Sequence, residues 1–190
     1  MGARIRNANL YPTYRRPQNG TRTRPFSIQN RLTTMSQAIQ IGDNCPTFSL
    51  PDSQGKQIQI TDYLGQRILV LFFYPKDDTP GCTKEACAFR DAYADFVELG
   101  CEVFGISSDA APAHEAFQQK YKLPYPLLSD TQKKVRQQFG VPTSLFGLIP
   151  GRVTYVVDLN GKVAGIFNSQ TNPVGHITEA LKVVRNLLTA

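Results

Sequence analysis

The stretch YPKDDTPGCTKEAC, residues 74–87, holds two of the chain's four cysteines, five positions apart behind two prolines and a glycine. A thiol at such a place offers two chemistries, nucleophilic attack as the thiolate or ligation of a metal. C-x4-C is not a usual zinc spacing, and the only histidines, His114 and His176, fall in other predicted helices. The reading is therefore that no metal is held. A dithiol-exchange site would show C-x-x-C, which the chain lacks. Cys82 falls in the first turn of a predicted helix. Unpaired N–H groups and the positive end of the helix dipole there favour a thiolate and lower the thiol pKa. Asp78 and Glu85 oppose this if they point inward, and a distant arginine would assist it.

Cys82 shares a helical stripe with Ala86, Phe89 and Tyr93, so it is expected to face the core. Cys87 is rotated by about 140° and shifted by about 7.5 Å along the axis, which puts the two Cα atoms roughly 8.6 Å apart. A disulfide needs less than about 7 Å. The thiols can therefore join only if the first turns of the helix unwind. The competing reading makes each cysteine a small buried apolar residue.

The elements that must position these residues follow from the apolar pattern. KQIQIT (56–61) alternates as a strand. RILVLFFY (67–74) and CEVFGIS (101–107) read as strands buried on both faces. Residues 83–99 read as one amphipathic helix ended by Gly100. AHEAFQQKYK (113–122) and TQKKVRQQFG (131–140) are helices around a short strand, PLLSD (126–130). RVTYVVD and VAGIF form a hairpin around Asn160-Gly161, a pair that suits a type I′ turn, and 174–188 is a closing helix. Alternation of strand and helix implies parallel strands with helical crossovers, and the hairpin adds antiparallel strands. The fold class is α/β, thioredoxin-like, with a central mixed β-sheet flanked by helices.

The chain has 190 residues and a formal charge of +6. Residues 1–34 hold seven arginines and no acid, while the rest is close to neutral with 14 basic and 15 acidic residues. Residues 1–36 are therefore expected to be a disordered Arg-rich extension, and 37–190 a single domain. The extension resembles an organelle transit segment, or it lies upstream of a true start at Met35. A nucleic-acid or membrane arm is the remaining reading of that charge. The seven-residue run ILVLFFY (68–74) is far short of the roughly 20 residues that span a bilayer.

At the thiol site the chain resembles a peroxiredoxin. Pro75-x-x-x-Thr79-x-x-Cys82 is similar to that family's peroxidatic signature, and Cys87 stands at the resolving position of the peroxiredoxin Q, or bacterioferritin comigratory protein, branch. The resemblance covers most of residues 40–188. GDNCPTFSLPD (42–52) looks like the family's opening segment, and FGLIPGRVTYVVDLNGKV (146–163) resembles the plant and cyanobacterial version, placing the family arginine at Arg152. Cys45 departs from the usual alanine. It is expected to be structural, with room for a mixed disulfide, and Cys101 is expected in the core.

The resemblance implies a thiol-dependent peroxidase acting on hydrogen peroxide and organic hydroperoxides. It makes Cys82 the attacking thiolate and Thr79, the N–H groups near Gly81 and Cys82, and Arg152 the donors to the peroxide, with Pro75 as a shield. It also implies a Cys82–Cys87 disulfide, reduced by thioredoxin or a similar dithiol. A redox sensor signalling by helix unwinding is the alternative. A monomer is expected, without nucleic-acid partners, in the cytoplasm, or in a plastid if the extension is a transit segment. The apolar loop Leu145–Ile149 is expected near the Cys82 pocket or packed as a plug against the core.

Overall fold

A mixed five-stranded sheet carries the thiol site at one end of its strands. The structure, a computed structural model, describes residues 38–144 and 149–189. The expected extension 1–36 and the loop residues 145–148 lie outside them. In chain order the elements are β1 (Ser49–Pro51), β2 (Gln57–Gln59), β3 (Ile68–Phe73), α1 (Pro80–Asp91), α2 (Tyr93–Glu98), β4 (Cys101–Ser107), α3 (Ala111–Tyr121) and β5 (Leu127–Ser129). They continue with α4 (Lys134–Gln138), β6 (Thr143–Ser144), β7 (Ile149–Pro150), β8 (Val153–Val157), β9 (Val163–Asn168) and α5 (Gly175–Thr189). The sheet order is β5-β4-β3-β8-β9. Strands β3, β4 and β5 are parallel, and β8 and β9 are antiparallel additions.

Central β3 is buried at all six positions because it lies between two cores. Leu69, Leu71 and Phe73 point to one side, against Phe104, Ile106, Val135 and Phe139. Ile68, Val70 and Phe72 point to the other, against Cys82, Ala86 and Phe89 of α1 and Ile177, Ala180 and Val184 of α5. A strand that alternates between two dry faces must be apolar throughout, which is why ILVLFF shows no polar alternation. Phe72 stacks on Phe89 at 4.3 Å between ring centroids and so fixes α1 to the sheet. Burial of each such side chain contributes about 1.5–3 kcal/mol. Gly105 on β4 gives Phe72 its room: a Cβ there would come within 2.7 Å of the ring.

Three expectations change. The helix expected over 83–99 is two helices, because Ala92 leaves the helical region (φ −97°, ψ 5°) between Asp91 and Tyr93. The helix expected over 131–140 shrinks to Lys134–Gln138, since Asp130 receives the N–H groups of Val135 and Arg136 and starts the turn late. The β8–β9 turn is not type I′, which needs two residues of positive φ. Of the pair only Gly161 has one (72°). The Asp158 carboxylate instead accepts from the N–H groups of Asn160 and Lys162, at 2.9 and 2.8 Å, and sets a different loop.

Candidate active site

Thr79 is the N-cap of α1 in extended conformation, and Pro80 opens the helix, where its fixed φ and missing N–H do no harm. The first helical bond runs from Thr83 N–H to the Thr79 carbonyl, at 2.8 Å. The N–H groups of Gly81 and Cys82 precede it and have no partner in the helical pattern. Cys82 is 2% exposed and faces the core as the stripe required, whereas Cys87 is half-buried. All four cysteines are free thiols here.

The backbone before α1 is held in four places. Arg136 Nη2 donates to the Tyr74 carbonyl at 3.0 Å. Asp77 accepts from the Tyr74 hydroxyl at 2.7 Å and pairs with His114 Nδ1 at 2.7 Å, both buried. The Asp77 N–H donates to Asp109 at 2.9 Å. Asp78, in the left-handed region (φ 54°), turns outward to Lys120 at 2.6 Å and to the Tyr121 hydroxyl at 2.7 Å. These bonds fix a loop of strained geometry, so Pro75 and Thr79 are delivered to the helix start in one arrangement. Asp78 therefore does not oppose a Cys82 thiolate from close range. The Thr79 hydroxyl donates to the Lys76 carbonyl at 3.0 Å, so it neither caps the helix nor donates to Cys82 in this state.

Arg152 reaches the same spot from the far end of the sequence. It immediately precedes β8, whose Val153 pairs with Phe73 at the end of β3. That register places residue 152 beside the start of the 74–79 loop. Arg152 is 4% exposed, and its Nη2 lies 3.4 Å from Cys82 Sγ. Its Nη1 donates to Glu85 Oε2. Glu85 is fully buried, and burial, only partly offset by Arg152, pushes its pKa up to about 8. Burial works against the Arg152 charge, but Glu85 and Cys82 raise its pKa above the ordinary arginine value. Gly81 gives the guanidinium clearance, since a Cβ at that position would stand 3.2 Å from Nη2.

Behind Glu85 stands His176 of α5, with Nδ1 at 3.5 Å from Glu85 Oε1, 2.8 Å from Thr154 Oγ1, and Nε2 at 2.9 Å from the Ser169 carbonyl. Burial lowers the His176 pKa to about 4. The inward turn of Glu85 follows from its place three residues after Cys82 on the same helix face. His176 was legible only as a histidine next to the apolar stripe Ile177, Leu181, Val184 and Leu188 expected of the closing helix, of which Ile177 and Val184 are buried and Leu188 is exposed. Nothing in the local sequence pointed to the buried Tyr74–Asp77–His114 chain.

Cys45 and Cys101 stand apart from this site. Cys45 is buried with its thiol directed to the Pro46 carbonyl at 3.5 Å, and Cys101 opens β4 in the core. Burial pushes both pKa values up to about 12, so both are inert thiols. Among the described residues no group of three His, Cys, Asp or Glu side chains could hold a metal, and no helix is long and apolar enough to cross a membrane.

Comparison with known proteins places this site in a family. The model of the AhpC/TSA family matches residues 41–166. Chloroplastic peroxiredoxin Q of Suaeda salsa is 52% identical over 78% of this chain and 69% of its own length. The chain is a peroxiredoxin. Among solved structures, the peroxidoxin BcpB of Mycobacterium tuberculosis superposes with a TM-score of 0.73 at 38% identity, covering 78% of this chain and 98% of its own. The Xanthomonas campestris bacterioferritin comigratory protein, described by its alkyl peroxide reduction activity, superposes with a TM-score of 0.67 at 28% identity, over 73% of this chain and 90% of its own. These likenesses bear out the thioredoxin-like fold and the peroxiredoxin Q resemblance. This peroxiredoxin is a thiol-dependent peroxidase, and peroxides and a thioredoxin-type reductant are the partners its family implies.

Proposed function

We propose that Cys82 is the peroxidatic thiol of this enzyme and Cys87 its resolving thiol. The observation that carries the reading is the Arg152 guanidinium at 3.4 Å from a buried sulfur in the first turn of α1. The thiolate attacks the terminal oxygen of hydrogen peroxide or a small alkyl hydroperoxide. The S–O bond forms, the O–O bond breaks, and hydroxide or alkoxide leaves. Charge moves along the O–O axis, so fixed donors aimed there lower the barrier. Arg152 Nη2 and the N–H groups of Gly81 and Cys82 are those donors. Thr79 has its proton on the Lys76 carbonyl, so its oxygen is free to accept from the peroxide O–H. Pro75 is half-buried, and we assign it the shielding of the thiolate that the family resemblance implies.

The product is a sulfenic acid on Cys82. The two cysteines share an intact helix, so Cys87 reaches that sulfur only after the first turns of α1 open. Attack by Cys87 then expels water and forms the Cys82–Cys87 disulfide. Thioredoxin or a similar dithiol reduces it by exchange. A disulfide within one chain needs no second subunit, and we assign the enzyme as a monomer. The chloroplastic relative and the Arg-rich, acid-free residues 1–34 favour a plastid over the cytoplasm.

Two variants test the assignment. Cys82→Ser is expected to consume no peroxide. Cys87→Ser is expected to react once and leave a dimedone-trappable sulfenic acid on Cys82 that thioredoxin no longer recycles efficiently. Sustained turnover by Cys82→Ser would end the reading.

A further inference from the structure

One cation in this site serves two acids. Arg152 places Nη2 on Cys82 Sγ and Nη1 on Glu85 Oε2, and all three side chains are buried. A second ionised acid would leave the cluster with a net negative charge in a dry interior, which is costly. One proton is therefore held within the cluster, by either Cys82 or Glu85.

The hydrogen bonds behind Glu85 show where that proton sits. A carbonyl can only accept, so His176 Nε2, at 2.9 Å from the Ser169 oxygen, carries the ring proton. Burial keeps His176 neutral above about pH 4, so Nδ1 is a bare lone pair that accepts from the Thr154 hydroxyl. Glu85 Oε1 faces this lone pair at 3.5 Å and has no hydrogen-bond partner. Two acceptors facing each other repel; a proton on Glu85 removes the carboxylate charge and with it that repulsion. The nearby Tyr125 supplies no charge, because its buried hydroxyl donates to the Ala86 carbonyl and burial raises its pKa well above the usual range.

We propose that Glu85 is the proton-holding residue of the reduced enzyme, neutral while Cys82 is a thiolate and ionised once Cys82 becomes a sulfenic acid. The inference rests on Cys82 being the attacking thiol. The balance closes over the step. Thiolate, peroxide and Glu85 carboxylic acid become sulfenic acid, water or alcohol, and Glu85 carboxylate. Sulfur is oxidised, the peroxide oxygen is reduced, and the proton given up by Glu85 is the one the leaving oxygen gains, by exchange through solvent. Before the reaction the Arg152 charge is balanced by sulfur, and afterwards by Glu85. Glu85 does not touch the peroxide; it is a positioning residue that leaves Arg152 free for the thiolate. The pKa of Glu85 near 8 agrees with this assignment. In the oxidised state an ionised Oε1 faces the His176 lone pair. Release of Glu85 to water relieves that contact and favours the opening of α1 that Cys87 needs.

The test uses the full chain carrying Cys87→Ser, which stops at the sulfenic acid. One equivalent of hydrogen peroxide is added and the infrared difference spectrum recorded, with dimedone trapping and mass spectrometry to place the sulfenic acid. The expected result is loss of one protonated-carboxyl carbonyl band per chain, absent from the double variant with Glu85→Gln. A sulfenic acid on Cys82 with no such loss overturns the role of Glu85 and leaves the peroxidatic assignment standing. No sulfenic acid on Cys82 overturns both. If the Glu85→Gln protein does not fold, proton uptake in weak buffer decides on Cys87→Ser alone. No proton taken up per thiolate absorbance lost supports the proposal, and one proton taken up overturns it.

Discussion

Replacing Arg152 by methionine keeps the apolar stem and removes the charge that, among the described residues, lies in contact with Cys82 Sγ. At the observed 3.4 Å, a full charge pair in an environment of effective dielectric about 20 is worth about 5 kcal/mol. The guanidinium is shared with Glu85, and a hydrogen bond to a charged group contributes about 1.5–3 kcal/mol net. The lower range is the better guide, because Glu85 is already neutral in the reduced enzyme and loss of Arg152 leaves no second buried charge unpaired. A loss of about 3 kcal/mol from the transition state is a fall of roughly 150-fold in the rate constant for Cys82 oxidation. The chain has no tryptophan, so the rate is best read by competition with a haem peroxidase for hydrogen peroxide. Circular dichroism of the reduced variant shows that the fold is retained. A folded Arg152→Met protein that reacts within threefold of the parent refutes the argument, because the contact at the sulfur would then do nothing for the chemistry.

Other expectations concern stability. Glu85 is raised from 4.5 to about 8 in the folded protein, so its contribution is fully present below pH 4.5 and is lost as pH rises through 8. His176 is depressed from 6.5 to about 4, so its contribution is present above pH 6.5 and lost as pH falls toward 4. The two oppose each other between pH 4.5 and 6.5, and of this pair only Glu85 changes from 6.5 to 8. Measured against Glu85→Gln, which keeps every other titrating group, the reduced protein is expected to lose on the order of 1 kcal/mol over that upper window, a fall of about 2–4 °C in relative Tm. A parent-minus-variant Tm difference that rises across the window contradicts the assignment. His114→Ala leaves the buried Asp77 without its imidazole partner and is expected to cost about 1–3 kcal/mol. Thermal melts check this, and an unchanged Tm would show that the Asp77–His114 contact is not formed in solution.

Much of this site was legible locally. Pro80, Gly81 and the stripe Cys82, Ala86 and Phe89 fix a helix start with an inward sulfur by φ restriction and periodicity alone. The buried runs of β3 and β4 were read from their composition within a residue of their observed bounds, because a strand dry on both faces leaves no other option. Reading failed where a side chain bonded to the backbone, Asp158 resetting the β8–β9 turn and Asp130 delaying α4, and where the backbone at Ala92 left the helical region.

From its own residues the sequence determined a thiol at the leading turn of a helix, after a buried strand, with a second thiol out of reach on the same helix. These depend on bond geometry over a few residues. That Arg152 meets Cys82, that Asp78 turns away, and that His176 stands behind Glu85 was decided only by the tertiary structure. The strand register brings residue 152 beside residue 74, and the packing of α5 on α1 brings the histidine to the carboxyl. Charges act through space, so their partners are set by which elements pack together and not by their distance along the chain.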